Sequence, residues 1–142
     1  MRFMLDTDSC IALIKRKPGS ILRRLTSLAP GEAGISAVTL AELRYGVAKS
    51  AQREKNGLAL DEFLLPLEVA DFDEPAADIY GTVRAALEKA GTPIGPLDTQ
   101  IGAHALSLQT VLVTHNTREF RRIPGLAVQD WLVVRLEGSS GK

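Results

Sequence analysis

Phe3-Met4-Leu5-Asp6-Thr7-Asp8-Ser9-Cys10-Ile11-Ala12-Leu13-Ile14-Lys15 decides how the rest of the chain is read. Phe3-Met4-Leu5 is a short apolar run, long enough for a buried strand and too short for a helix. It stops at an acid, Asp6, and a helix is expected over 9–15. A strand that ends in acids and runs into a helix is the opening unit of an α/β fold.

The same order recurs downstream. Gly34-Ile35-Ser36 reads as a strand, and the helix after it carries Leu40, Leu43 and Val47 at i, i+3, i+7 spacing. Leu67-Glu68-Val69-Ala70 reads as a strand. Pro75 stands near the first turn of the next helix, where its missing N–H costs nothing. Tyr80, Val83 and Leu87 form that helix's apolar stripe, and Gly91-Thr92-Pro93-Ile94-Gly95-Pro96 is a rigid loop. A helix with Leu97, Ile101, Ala105 and Leu108 leads to Val111-Leu112-Val113, a strand buried on both faces. Leu126-Ala127-Val128 is the last short strand. Elsewhere, Pro18-Gly19 breaks the first helix and Ser20 is placed to cap a second one carrying Ile21, Leu22, Leu25 and Leu28. Pro30-Gly31 is a turn, and a helix over 52–65 offers Leu58, Phe63 and Leu64 for packing. Strands alternating with helices predict an α/β sandwich around a mainly parallel sheet.

The chain has 142 residues, 45% apolar and 24% charged, which is one globular domain rather than a disordered segment. The domain is expected over 1–135, with a disordered tail over 136–142. A single cysteine, Cys10, rules out an intramolecular disulfide framework, and its apolar neighbours point to a buried thiol. The N-terminal run reaches Asp6 too early for a signal core, and no apolar run approaches a membrane span, so a cytoplasmic protein without membrane contact is expected. Formal net charge is zero, so a nucleic-acid role must rest on local patches rather than on overall charge.

In open parallel sheets, ligands bind at the carboxyl ends of the strands. Asp6 and Asp8 follow the first strand, Glu42 lies early in the helix after the second, and Asp98 opens the helix after the Pro-Gly loop. Asn116 and Glu119 follow Val113. Each has a structural alternative. Asp6, Asp8 and Asp98 are placed as helix N-caps, Thr39-Leu40-Ala41-Glu42 matches a capping box, and Asn116 with Glu119 has similar spacing. Independent caps give no reason for so many acids at one sheet edge. Clustered carboxylates repel and raise one another's pKa unless a cation holds them. Oxygen-only ligands suit Mg²⁺ or Mn²⁺, which polarise a phosphate and activate water.

His104, on a helix, and His115, in a loop, lack cysteine partners and do not make a zinc site. His115 reads as a surface histidine that could touch a phosphate. Basic residues fall in three groups: Lys15, Arg16 and Lys17; Arg23 and Arg24; and Arg118, Arg121 and Arg122. Solubility accounts for such groups. The third, Arg118, Arg121 and Arg122, adjoins the acids, where a phosphate backbone needs cations, which makes it the candidate nucleic-acid contact.

Four motifs, in this order, resemble VapC-type PIN domains. They are Met4-Leu5-Asp6-Thr7-Asp8, Ile35-Ser36-Ala37-Val38-Thr39-Leu40-Ala41-Glu42-Leu43-Arg44-Tyr45-Gly46, Ile94-Gly95-Pro96-Leu97-Asp98-Thr99-Gln100-Ile101-Gly102-Ala103-His104-Ala105 and Val113-Thr114-His115-Asn116-Thr117-Arg118-Glu119-Phe120. The resemblance runs from Met1 to about Trp131. It implies a three-layer α/β/α fold, Mg²⁺- or Mn²⁺-dependent endoribonuclease activity as the toxin of a toxin–antitoxin pair, a VapB-type antitoxin partner and a homodimer. Several relatives cut tRNA, including initiator tRNA, in the anticodon region, so tRNA is the implied substrate. By motif match, Asp6, Glu42 and Asp98 are the acidic core that holds metal, and Asn116 stands where many PIN domains have a further aspartate. Asn116 can position water or metal without adding charge; Glu119 either supplies that charge or only caps a helix. Asp8, where relatives often have asparagine, adds further charge. Two rival readings remain: an inactive PIN-type domain that only binds RNA or a partner, and a haloacid-dehalogenase-like phosphotransferase using the Asp6/Asp8 pair.

Overall fold

The computed structural model describes residues 1–16 and 19–132. In chain order the elements are β1 Phe3–Leu5, α1 Thr7–Lys15, α2 Gly19–Thr26, β2 Ala33–Ser36, α3 Ala37–Ala48, α4 Arg53–Leu64, β3 Glu68–Ala70, α5 Glu74–Lys89, α6 Pro96–Leu108, β4 Val111–Val113, α7 Thr117–Phe120 and β5 Ala127–Gln129. The strands form one sheet of order β3-β2-β1-β4-β5, and every neighbouring pair is parallel.

Side chains alternate across each strand, so the central strands feed two cores. Phe3 and Leu5 of β1 and Val113 of β4 join Cys10, Leu13, Ile21, Leu43 and Leu60 on the face covered by α1 to α4. Met4 and Leu112 join Val83, Leu87, Ile101, Phe120 and Ile123 on the face covered by α5 to α7. The result is a three-layer α/β/α sandwich. Covered on both sides, β1 is apolar without interruption, as parallel strands are. Gly34 permits the close approach of β2 to β3: a Cβ there would clash with the Glu68 carbonyl oxygen.

The strand order fixes where a site can form. From β1 the chain steps outward to β2 and β3, then returns past β1 to β4 and β5. The connection reverses between β1 and β4, and the crevice at their carboxyl ends is the binding position in such sheets. Asp6 ends β1 there, and Thr114-His115-Asn116 ends β4 beside it.

Several local expectations shift. Helix α1 begins at Thr7 because the Asp6 side chain caps it. Ser20 lies inside α2 rather than before it. Leu58 is 68% exposed, and Leu60 fills the core position on α4 instead. Strand β5 is displaced by one residue, to Ala127–Gln129. The expected tail at 136–142 lies outside the described residues. Among the described residues no helix is long and apolar enough to cross a membrane.

Candidate active site

Asp6 is the best-fixed acid of the site. It is almost fully buried at the end of β1, and its backbone N–H donates to the Val113 carbonyl at 3.0 Å. One carboxylate oxygen accepts from the Ser9 backbone N–H at 2.9 Å, and the other from the Thr114 hydroxyl at 2.6 Å. The Thr114 oxygen itself accepts from the Asn116 N–H at 2.9 Å, so its single proton is directed at Asp6. Burial raises the Asp6 pKa, the Thr114 and Ser9 hydrogen bonds oppose it, and nearby Asp8 raises it further. Asp6 is therefore both a helix cap and an oriented carboxylate, and the two readings do not exclude each other.

The other acids arrive from separate elements. Glu42 stands in the second turn of α3, whose N-cap is Ser36, so the capping-box reading of Thr39 and Glu42 is overturned. Instead the Glu42 carboxylate accepts a short hydrogen bond from the Thr7 hydroxyl, which brings it beside Asp6 and Asp8. Asp98 lies in the first turn of α6, three residues past the N-cap Gly95, and is not a cap. Asp8 is exposed in the first turn of α1 and likewise caps nothing. Asn116 precedes α7, but its side chain donates to Glu119 at 2.8 Å rather than accepting from the helix backbone.

Asp98 registers the convergence. Its pKa is raised from 3.8 to about 6, first by burial and then by Asp6, Asp8, Glu42 and Glu119. Carboxylates from α1, α3, α6 and α7 thus share one negative potential at the β1/β4 crevice. This donor set is all oxygen, which fits a hard divalent cation such as Mg²⁺ or Mn²⁺. Among the described residues no three acidic, histidine or cysteine side chains yet enclose a metal-sized position. Asp6, Glu42 and Asp98 could hold such an ion, with Asp8 and Glu119 in reach of its field.

The PIN-domain family model matches residues 3–126 of this fold. The chain belongs to the PIN-domain family. Proteins named tRNA(fMet)-specific endonuclease VapC, from Shigella flexneri and Salmonella typhimurium, are 45% and 47% identical to it over 131 residues, 92% of this chain and 98% of each of theirs. Among solved structures, DNA-bound VapBC from Salmonella typhimurium superposes with a TM-score of 0.89 at 46% identity, covering 92% of this chain and 98% of that one. VapBC2 from Rickettsia felis, bound to a promoter DNA fragment, gives 0.88 at 41% identity, covering 92% and 99%. PIN-domain membership sets aside the haloacid-dehalogenase-like reading of Asp6 and Asp8.

The basic residues of this PIN domain are not equivalent. Arg118 and Arg121 on and after α7 are exposed, whereas Arg122 donates to the Pro93 carbonyl at 3.1 Å and ties down the loop before α6. Sequence reasoning missed the hydroxyls. The Thr7 and Thr114 hydroxyls orient Glu42 and Asp6, and both residues adjoin the acids or the strand ends in sequence, which was the available signal. It also missed His104. This buried residue of α6 places Nδ1 2.9 Å from the Ser36 hydroxyl oxygen, and that oxygen accepts from the Val38 N–H at the start of α3. His104 so braces the helix bearing Asp98 against the helix bearing Glu42.

Proposed function

We propose that this PIN domain is the endoribonuclease toxin of a toxin–antitoxin pair, cutting tRNA with Mg²⁺ or Mn²⁺ held by Asp6, Glu42 and Asp98. The observation that carries this reading is the gathering of Asp6, Glu42 and Asp98 from separate elements at the β1/β4 crevice, where burial and the neighbouring carboxylates push the Asp98 pKa up to about 6. Acids held this close raise one another's pKa until a cation neutralises them. Kinship supports the substrate: the relatives at 45% and 47% identity are named as tRNA(fMet)-specific endonucleases.

A bound divalent ion supplies charge that polarises the scissile phosphate and makes a bound water acidic. The chain's own residues prepare the site. Thr114 and Ser9 fix the Asp6 carboxylate, and Thr7 fixes Glu42, so little ordering is left for the reacting complex. Asn116, itself aligned by Thr114 and Glu119, presents an uncharged amide that can orient water or a phosphate oxygen. Arg118 and Arg121 offset the repulsion between an RNA backbone and the acids.

The partner is a VapB-type antitoxin, as in the VapBC complexes that share this fold. Tyr45, Leu58 and Leu65 are 65%, 68% and 83% exposed on or next to α3 and α4, apolar side chains available to antitoxin or to a second copy in a homodimer. The test is direct. Purified protein incubated with initiator tRNA should cut it when Mg²⁺ or Mn²⁺ is present and leave it intact in EDTA. Intact tRNA under both conditions would remove the proposal.

A further inference from the structure

A groove of about 420 Å³ opens directly beside the acids, lined by Asp8, Ile11, Arg16, His115, Asn116 and Leu132 among others. Asp8 and Asn116 belong to both the groove and the acid site, so the two are continuous. His115, in the groove wall, belongs to an organised pair that the metal chemistry does not use. His115 Nδ1 lies 3.0 Å from Asp130 Oδ2, and the other Asp130 oxygen accepts from the Leu132 N–H at 2.9 Å. The Asp130 side chain is only 14% exposed and the His115 side chain 65%. A carboxylate can only accept, so Nδ1 carries the proton and the imidazole is held in one orientation with its open side toward solvent. A surface histidine that served only solubility would have no need of an anchored acid.

The lining selects the occupant. Asp8 would repel a phosphate lodged in the groove, so the groove body suits an uncharged, flat group. Ile11 and Leu132 supply apolar wall, and the His115 ring supplies a π-face. Nucleobases stack on such rings, and histidine is among the side chains single-stranded RNA uses for this. Arg16, exposed at the C-terminal end of α1, can pair with a phosphate at the groove's rim. We propose that this groove is a nucleotide subsite of the ribonuclease: a base flanking the cut stacks on His115, oriented by Asp130, while Arg16 meets that nucleotide's phosphate. The subsite rests on the ribonuclease reading and adds to it the residues that select the RNA strand next to the cut.

The test uses the anticodon stem–loop of initiator tRNA and a series of the same RNA with one abasic nucleotide stepped through the loop. Wild type, His115→Ala and His115→Phe are compared with saturating Mn²⁺. His115→Ala should lower kcat/KM roughly tenfold or more, chiefly through KM, at an unchanged melting temperature and Mn²⁺ affinity. His115→Phe, which keeps a stacking ring, should stay within about threefold of wild type. One abasic position should cost wild type the same factor and cost His115→Ala nothing further. If His115→Ala cuts the intact RNA as wild type does, or if both proteins lose equally at every abasic position, the subsite is wrong while the ribonuclease reading stands. A wild-type protein that leaves every RNA uncut overturns both.

Discussion

Asp98→Asn should make the metal-free protein more stable at neutral pH, the reverse of what the loss of a structural acid does. Asp98 has a folded-state pKa of about 6 against an ordinary 3.8. A raised value means that the fold prefers the neutral form. The group's contribution is therefore fully present below about pH 4 and is lost as pH rises through about 6. At face value the shift corresponds to about 3 kcal/mol at neutral pH. Asp98 is only half-buried, and screening by solvent brings this nearer to about 1 kcal/mol. An opposing effect comes from its place in the first turn of α6, where the helix N-terminus favours a negative charge by about 0.3–1 kcal/mol. Repulsion wins narrowly. Thermal melts in EDTA should put Asp98→Asn about 1–3 °C above wild type near pH 7.5 and no higher near pH 4. Added Mn²⁺ should reverse the order, because the wild-type site gains a ligand that the variant binds poorly. A variant destabilised equally at both pH values, or stabilised by Mn²⁺ as much as wild type, would refute the argument that Asp98 is held among competing charges.

Gly34→Ala should cost about 2 kcal/mol or more in urea unfolding, because the new Cβ meets backbone of β3, whereas Gly81→Ala on open α5 surface should gain up to about 1 kcal/mol. Glu119→Gln keeps an acceptor for Asn116 and removes only charge; single-turnover cleavage should fall roughly tenfold, and an unchanged rate would leave Glu119 as a positioner of Asn116 alone. Burial lowers the His104 pKa, so its neutral form supports the fold above about pH 6.5 and that support is lost as pH falls. In the Asp98→Asn background, which removes the opposing carboxylate, melts between about pH 7 and 5 should therefore decline for His104 and stay flatter for His104→Gln. Arg118→Ala should weaken RNA binding at all sequences and reduce the salt slope by about one, without changing Mn²⁺ affinity; an unaltered slope would place Arg118 off the RNA path.

Much of this fold was legible because β1 and β4 are covered on both faces and so must be continuous apolar runs. Their order and the following helices imply a parallel sheet, and the acids at their ends mark the crevice. What stayed hidden depends on side-chain direction. Capping chemistry and ligand chemistry use the same residue types, so Asp6, which caps, could not be told in advance from Asp98 and Asp8, which do not. Thr39 and Glu42 have capping-box spacing, but Ser36 starts α3 three residues earlier and leaves Glu42 free to meet Thr7. On α4, Leu58 and Leu60 are equally apolar, and only the docking of the helix selects Leu60. The His104–Ser36 brace joins residues 68 positions apart, a distance that no local pattern encodes.

If Asp6 and Asp98 hold the divalent ion on which cleavage depends, as proposed, single-turnover cleavage of initiator tRNA across a Mn²⁺ titration will separate them from ordinary structural acids. Asp6→Asn and Asp98→Asn keep the side-chain shape, and asparagine at position 6 still caps α1. Both variants should fold, bind Mn²⁺ weakly and cut at a rate roughly a hundredfold or more below wild type at saturating metal. Folded Asp6→Asn and Asp98→Asn proteins that cut at the wild-type rate, with the wild-type metal dependence, would mean that neither carboxylate holds the ion.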